Sequence, residues 1–105
     1  MSKQPAFLKE KESDIEKSVV SYARRRGVKC SKFTSVGRRD APDYIFFFGG
    51  HVLLLEFKRP GGKPRPTQLR EQAKYHAVGI RCEIVDDRII GQGFIEELVN
   101  GTLYI

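Results

Sequence analysis

The chain has 105 residues, the length of one domain with a modest core, and 40% of them are hydrophobic, as in a globular protein. Its net charge of +6 suggests a polyanionic partner, with nucleic acid as the first candidate. No apolar run approaches the roughly 18 residues of a membrane span, and residues 1–11 lack the apolar centre of a signal peptide. Cys30 and Cys82 have no metal-ligand spacing and suggest buried thiols in a reducing compartment. We therefore expect a cytoplasmic protein without a membrane partner.

A polar arm and an amphipathic helix come first in chain order. We expect residues 1–12 to be a flexible arm and residues 13–105 to form a single domain. A helix is predicted over 13–26, where apolar residues recur at intervals of three and four. Its apolar stripe consists of Ile15, Val19, Val20 and Ala23. Gly27 is placed to end this helix.

Two apolar strands joined by a glycine pair are the most informative feature of the chain. A strand over 28–35 and a basic loop over 36–42 precede them. The two strands occupy 43–48 and 51–58, and Gly49-Gly50 between them is the composition of a tight hairpin with positive φ. Both strands are apolar on both faces, which is typical of a central pair covered on two sides.

Counting pairs outward from the two-residue turn places Asp43 opposite Glu56 at the open end of the hairpin. The intervening pairs include Phe48 with His51, Phe47 with Val52, and Ile45 with Leu54. Glu56 and Lys58 are two residues apart on one strand and share a face. Opposed carboxylates with Cβ atoms about 4.5–5.5 Å apart repel each other unless a cation lies between them. A divalent metal with oxygen ligands is the natural occupant.

These three charged residues also have structural interpretations. Asp after Pro is a common turn residue, and Glu and Lys at the end of a strand are often simply solvated. A register slip of one residue would place the two acids on opposite faces. We favour a functional role because charges at the end of doubly covered strands are costly.

The second half of the chain alternates helix and strand. Residues 59–66 contain two glycines, three prolines and three basic residues and are expected to form a loop. A helix over 67–77, a strand over 80–85 and a helix over 93–99 follow, which gives the order αβββαβα. The connection between the strands at 51–58 and 80–85 is about 20 residues long, as in a crossover between parallel neighbours. The predicted fold is therefore α/β, with a mixed sheet flanked by helices.

The sequence Pro42-Asp43 followed by Glu56-Phe57-Lys58 resembles the signature of the PD-(D/E)xK nucleases. The predicted order is similar to the restriction-endonuclease-like αβββαβ core of that superfamily. Within it the chain resembles the VRR-NUC family, roughly from residue 13 to residue 85. The features that carry this resemblance are Glu16, the loop from Gly37 to Asp43, Glu56 with Lys58, Gln68 and Gly79. The loop has no second glycine and Phe57 replaces a small aliphatic residue, but neither departure removes a ligand.

The resemblance implies a metal site that agrees with the hairpin geometry. It assigns Asp43 and Glu56 as metal ligands, with the backbone carbonyl of Phe57 as a further ligand and the Phe57 side chain in the core. Mg²⁺ or Mn²⁺ suits such an oxygen-rich set. Lys58 would orient or activate the attacking water and offset charge on the phosphorus.

Two further residues have both a family role and a simpler one. Glu16 could be a metal-site acid that reaches from the first helix, or the third residue of a capping box that begins at Ser13. Gln68 could be a catalytic residue that lies near Lys58 and hydrogen-bonds toward the site, or an exposed residue in the first turn of its helix. The resemblance favours the family role for both.

Basic residues flank the predicted metal site on both sides along the chain. The candidates for binding the nucleic-acid backbone are Arg38, Arg39, Arg59, Lys63 and Arg65. They lie in the loops that precede Asp43 and follow Lys58, and we expect salt-dependent binding with little sequence specificity. Arg24-Arg25-Arg26 at the end of the first helix fits simple compensation of the helix dipole.

A functional prediction follows from the resemblance. It implies a Mg²⁺- or Mn²⁺-dependent DNA endonuclease, of the stand-alone phage type, encoded by a bacterial virus or prophage. Such members act as homodimers on branched DNA, so four-way (Holliday) junctions are the expected substrate. The alternatives are a flap or nonspecific nuclease, and a non-catalytic nucleic-acid-binding module whose acids hold a structural ion.

Overall fold

The computed structural model describes residues 10–33 and 42–104. The elements in chain order are α1 (Glu12–Arg25), β1 (Lys29–Lys32), β2 (Tyr44–Phe48), β3 (His51–Phe57), α2 (Pro66–Ala77), β4 (Arg81–Val85) and α3 (Arg88–Asn100). This is the predicted αβββαβα order. Most of the predicted flexible arm lies outside the described residues. None of the helices just named is long and apolar enough to cross a membrane.

The four strands form one mixed sheet in the order β1-β2-β3-β4. β1 pairs with β2, and β2 with β3, in antiparallel orientation. β3 and β4 are parallel neighbours, so the predicted crossover through α2 is confirmed. β2 and β3 occupy the centre of the sheet, as their continuous apolar sequences predict.

The hairpin between β2 and β3 has the predicted register. Phe48 pairs with His51, and the ladder continues to Tyr44 opposite Leu55. Gly49 and Gly50 have φ values of 57° and 79°, the positive values that a two-residue hairpin turn needs. The register has not slipped, and the next pair outward consists of the two acids, residues 43 and 56.

Helices cover both faces of the sheet. The core on one face contains residues of α1, α3 and the sheet: Ile15, Val19, Ala23, Phe46, Leu53, Leu55, Phe57, Ile95 and Leu98. Leu54 and Cys82 are paired across β3 and β4 and are also buried, but they alternate with these positions and lie on the other face of the sheet. The Gln72 side-chain amide donates to the Cys82 carbonyl at 2.9 Å, which fastens α2 to β4. The α/β fold with a mixed, helix-flanked sheet is therefore confirmed.

The first helix begins earlier than predicted. Lys11 is its N-cap, and the Lys11 N–H donates to Asp14 Oδ2 at 2.9 Å. The predicted capping box of Ser13 and Glu16 is therefore wrong, because Asp14 occupies the third helical position. An acidic residue in this first turn also complements the helix dipole.

The last helix begins at Arg88, five residues before the predicted start at residue 93. Asp87 caps it, since Oδ1 accepts from Ile89 N at 2.8 Å and Ile90 N at 3.0 Å. Gly91 and Gly93 lie within the first two turns and lower the helix propensity there, which hides the start from sequence patterns.

Candidate active site

Three carboxylates from separate parts of the chain meet at one end of the sheet. Glu12 lies in the first turn of α1, Asp43 precedes β2, and Glu56 lies near the end of β3. One oxygen atom from each lies within 4.8 Å of the others. Carboxylate oxygens at this spacing are the ligands that hard divalent cations take. The arrangement can therefore hold a metal ion.

Glu56 is the most buried of the three, with 8% of its surface exposed. Its Oε1 accepts from Gln68 Nε2 at 2.8 Å, whereas Oε2 is buried without a hydrogen-bond partner among the described residues. Burial, and then the neighbouring Asp43, raises the pKa of Glu56 to about 8. A buried oxygen without a partner beside a second carboxylate is what a bound cation would relieve.

Asp43 is fixed through both its backbone and its side chain. Its N–H donates to the Leu55 carbonyl at 3.0 Å, and its own carbonyl accepts from Phe33 N at 2.9 Å. Its Oδ2 accepts from the Phe57 N–H at 2.7 Å. Burial raises the pKa of Asp43, although that hydrogen bond and the nearby Lys58 act in the opposite direction.

Lys58 directly follows β3 and completes the predicted trio with Asp43 and Glu56. Its backbone N–H donates to the Val85 carbonyl at 2.8 Å, which extends the parallel pairing with β4. The positive charge of Lys58 lowers the pKa of both Asp43 and Glu56, so its ammonium group lies close enough to influence both carboxylates. The neighbouring Phe57 side chain is fully buried, as predicted for a core residue.

Gln68 joins the second helix to the acidic cluster. Only 5% of its surface is exposed, so the alternative of an exposed residue is wrong. Its Oε1 accepts from the Arg65 N–H at 2.9 Å and caps α2, while its Nε2 donates to Glu56. One side chain therefore both begins the helix and fixes a carboxylate.

The sequence did not identify Glu12, which lies one helical turn before the predicted ligand Glu16. Glu16 does not belong to the group of oxygens within 4.8 Å, but it lines the same depression of about 370 Å³ as Glu12 and Asp43. Burial raises the pKa of Glu16, with Asp43 acting in the same direction and Lys32 against it. Glu12 and Glu16 have the i, i+4 spacing that places two residues on one helix face, and this spacing was the available signal. It was missed because residues 1–12 were predicted to be a flexible arm.

The basic candidates divide between described and undescribed parts of the chain. Arg59, Lys63 and Arg65 are exposed in the segment that follows Lys58. Arg65 lowers the pKa of Glu56, which places its charge near the acids. The predicted contacts Arg38 and Arg39 lie outside the described residues. Lys32, at the end of β1, was not predicted and lines the acidic depression.

Comparison with known proteins gives two similarities that span most of the chain. No family model matches the sequence. The chain is 40% identical over 79 residues to "Putative nuclease p44" of Acyrthosiphon pisum secondary endosymbiont phage 1, across 74% of this chain and 85% of the phage protein. A solved structure described as "VRR_NUC domain" has a TM-score of 0.73 and 26% identity, across 81% of this chain and 94% of the other. The likeness therefore extends well beyond the acidic cluster.

Proposed function

The chain belongs to the VRR-NUC family of nucleases, and on that premise we propose that it is a divalent-metal-dependent DNA endonuclease. The observation that carries this proposal is the group of carboxylates from Glu12, Asp43 and Glu56 within 4.8 Å of one another. Lys58 lies beside them and acts on two of the three. Acids gathered in this way would repel a phosphate backbone, so binding alone would not favour them. Metal-dependent phosphodiester hydrolysis accounts for both the acids and the lysine.

The donor set fits Mg²⁺ or Mn²⁺. All candidate side-chain ligands are carboxylates, and Oε2 of Glu56 is buried without a hydrogen-bond donor among the described residues. Glu12, Asp43 and Glu56 would hold the ion, with the Phe57 carbonyl as a further ligand and Glu16 nearby. Such an ion supplies Lewis-acid polarisation of the scissile phosphate and a more acidic attacking water.

The remaining chemistry belongs to the protein's own side chains. The Lys58 ammonium offsets the negative charge that develops on the phosphate and orients the attacking water. Gln68 orients Glu56 through its Nε2, and the Phe57 N–H orients Asp43. These hydrogen bonds set the positions of the two carboxylates before any ligand arrives, which lowers the cost of assembling the site.

Substrate positioning would come from basic residues that flank Asp43 and Lys58 along the chain. Arg59, Lys63 and Arg65 follow Lys58, and Arg38 and Arg39 precede Asp43 in the sequence. They would contact phosphates rather than base edges. Binding would then depend on salt and discriminate little between sequences.

We further propose that the substrate is branched DNA, with the four-way junction as its preferred form and a homodimer as the active species. The VRR-NUC resemblance and the phage relative support this proposal. A two-fold dimer presents two equivalent sites, which suits paired cuts in opposed strands. The phage relative supports the further proposal that the protein acts in the cytoplasm of a bacterial host. A flap or nonspecific nuclease is the alternative within the family.

The experiment compares end-labelled four-way junction, flap, linear duplex and single strand of matched sequence, with Mg²⁺, Mn²⁺ or EDTA. We expect metal-dependent cutting that is fastest on the junction, with paired cuts in opposed strands. Preference for the flap, or equal rates on all substrates, would contradict junction selectivity and leave the nuclease proposal intact. Binding without cleavage of any substrate in either metal would contradict the nuclease proposal.

A further inference from the structure

The three consecutive arginines at the end of α1 do not share one environment. Arg26 Nε lies 2.6 Å from Glu96 Oε1, and its Nη2 donates to Oε2 at 3.1 Å. The Tyr22 hydroxyl donates to the same carboxylate. Arg26 therefore joins α1 to α3. Arg24 and Arg25 are exposed, and neither forms an ion pair with a described residue.

Arg24 and Arg25 instead line a depression of about 420 Å³ along α1, called here the α1 groove. Its polar lining residues are Glu16, Lys17, Ser21, Arg24, Arg25 and Tyr44. Positions 17, 21 and 24 recur at helical spacing and lie on one face. Arg25 Nη1 donates to Ser21 Oγ at 3.0 Å, which orients its guanidinium. The groove therefore presents three cations against one carboxylate.

The α1 groove adjoins the acidic depression, since Glu16 lines both. From Glu12 to Arg24 the helix axis rises about 18 Å, at 1.5 Å per residue. Each nucleotide of a duplex strand advances about 3.4 Å along the duplex axis. A strand bound at the acidic cluster can thus reach Arg24 and Arg25 several nucleotides from the bond that is cut.

We propose that the α1 groove binds the sugar–phosphate backbone of the DNA substrate several nucleotides from the scissile phosphate. The inference rests on the proposed nuclease function, because that function places a DNA strand at Glu12. Helix-dipole compensation accounts for basic residues in the last turn, but it does not account for Lys17, which lies about two turns before Arg24. Guanidinium groups in a groove are suited to phosphate, which they bind through paired hydrogen bonds.

The test compares wild type with the double variant Arg24→Gln/Arg25→Gln in binding to a labelled 30-base-pair duplex, in EDTA, between 50 and 200 mM salt. The matched control is Lys29→Gln/Lys74→Gln, which also removes two exposed charges. Lys29 begins β1 and Lys74 lies in the last turn of α2, and neither lines the α1 groove or the acidic depression. The rescue variant Arg24→Lys/Arg25→Lys keeps the charge.

We expect the double variant to bind about tenfold more weakly, with a salt slope smaller by about two, since each phosphate contact contributes about 0.9. The control should bind like wild type, and the rescue variant should recover most of the loss. Wild-type affinity and slope in the double variant would overturn the inference, as would an equal loss in the control. Cleavage of this duplex and of a four-way junction by wild type in Mg²⁺ is measured alongside. Failure to cut any DNA would count against the nuclease proposal, whereas the comparison of binding judges the groove alone.

Discussion

Glu56 shows at the scale of one residue how burial prepares a carboxylate for a cation. One oxygen has the Gln68 amide, and the other is buried without a partner among the described residues. Removing a charge from water without compensation is costly, so the metal-free group keeps its proton to about pH 8. Ionisation becomes favourable when a positive charge arrives. The proton and the metal ion therefore compete for the same carboxylate.

This competition predicts opposite effects of pH on metal binding and on metal-free stability. Mn²⁺ affinity, measured by calorimetry from pH 6 to 9, should rise up to about tenfold per pH unit until about pH 8, because one proton must leave Glu56. The folded pKa of about 8 lies above the ordinary 4.5. The contribution of Glu56 to the stability of the metal-free fold is therefore complete below about pH 4.5 and is lost as pH rises through 8. The metal-free Tm should fall over that range, and Glu56→Gln should remove both trends. An affinity independent of pH would contradict this account.

A second residue-scale prediction separates the two acids of α1. Glu12→Gln should weaken Mn²⁺ binding by about tenfold or more, because its oxygen belongs to the cluster within 4.8 Å. Glu16→Gln removes the same charge one turn later and should weaken binding less. The reverse order of effects would assign the helix ligand to Glu16, as the family resemblance implies.

The sequence predicted some of these residues and not others for a physical reason. Asp43, Glu56 and Lys58 could be predicted because a two-residue glycine turn fixes the register of every pair in the hairpin. Glu12 could not, since its contact with the cluster depends on where α1 begins and how the helix packs. The double role of Gln68 likewise depends on tertiary placement rather than on local pattern.

At the scale of elements, the sheet was predictable and the last helix only partly so. β2 and β3 have strong apolar patterns and an unambiguous turn. The start of α3 was hidden because Gly91 and Gly93 lower helix propensity in its first turns. Gly91 is required by packing, since a Cβ there would lie 2.5 Å from Val19 Cγ2 and 3.1 Å from Val85 Cγ1. Long-range contact of this kind leaves no local signal in the sequence.

The two glycines of α3 should therefore respond oppositely to alanine. Gly91→Ala should lower the free energy of unfolding by about 1–3 kcal/mol, because the added methyl overpacks the contact of α3 with α1 and β4. At Gly93 no described atom outside the adjacent helix backbone lies within 4 Å of a Cβ. Gly93→Ala should raise the free energy of unfolding by about 0.5–1 kcal/mol through helix propensity. Denaturant unfolding measures both, and a stabilised Gly91→Ala would refute the packing argument.

At the scale of the whole molecule, charge is sorted along α1. Its first turns supply acids at the end of the sheet, and its last turns supply arginines to the α1 groove and to the contact with α3. The net charge of +6 attracts a polyanion, while the acids are concentrated where a cation can neutralise them. The sequence predicted a polyanionic partner from the net charge and the acidic pair from the register of the hairpin. It could not predict that one helix connects the two regions.

The most direct test of the central claim is single-turnover cleavage of a labelled four-way junction in Mg²⁺ by wild type and by Lys58→Met, with linear duplex alongside and binding measured in EDTA. The substitution keeps most of the side-chain length and removes the charge that acts on Asp43 and Glu56. We predict that cleavage is lost by about a thousandfold or more while binding and Tm stay close to wild type. Full cleavage by Lys58→Met, or metal-independent cleavage by wild type, would contradict the proposed site.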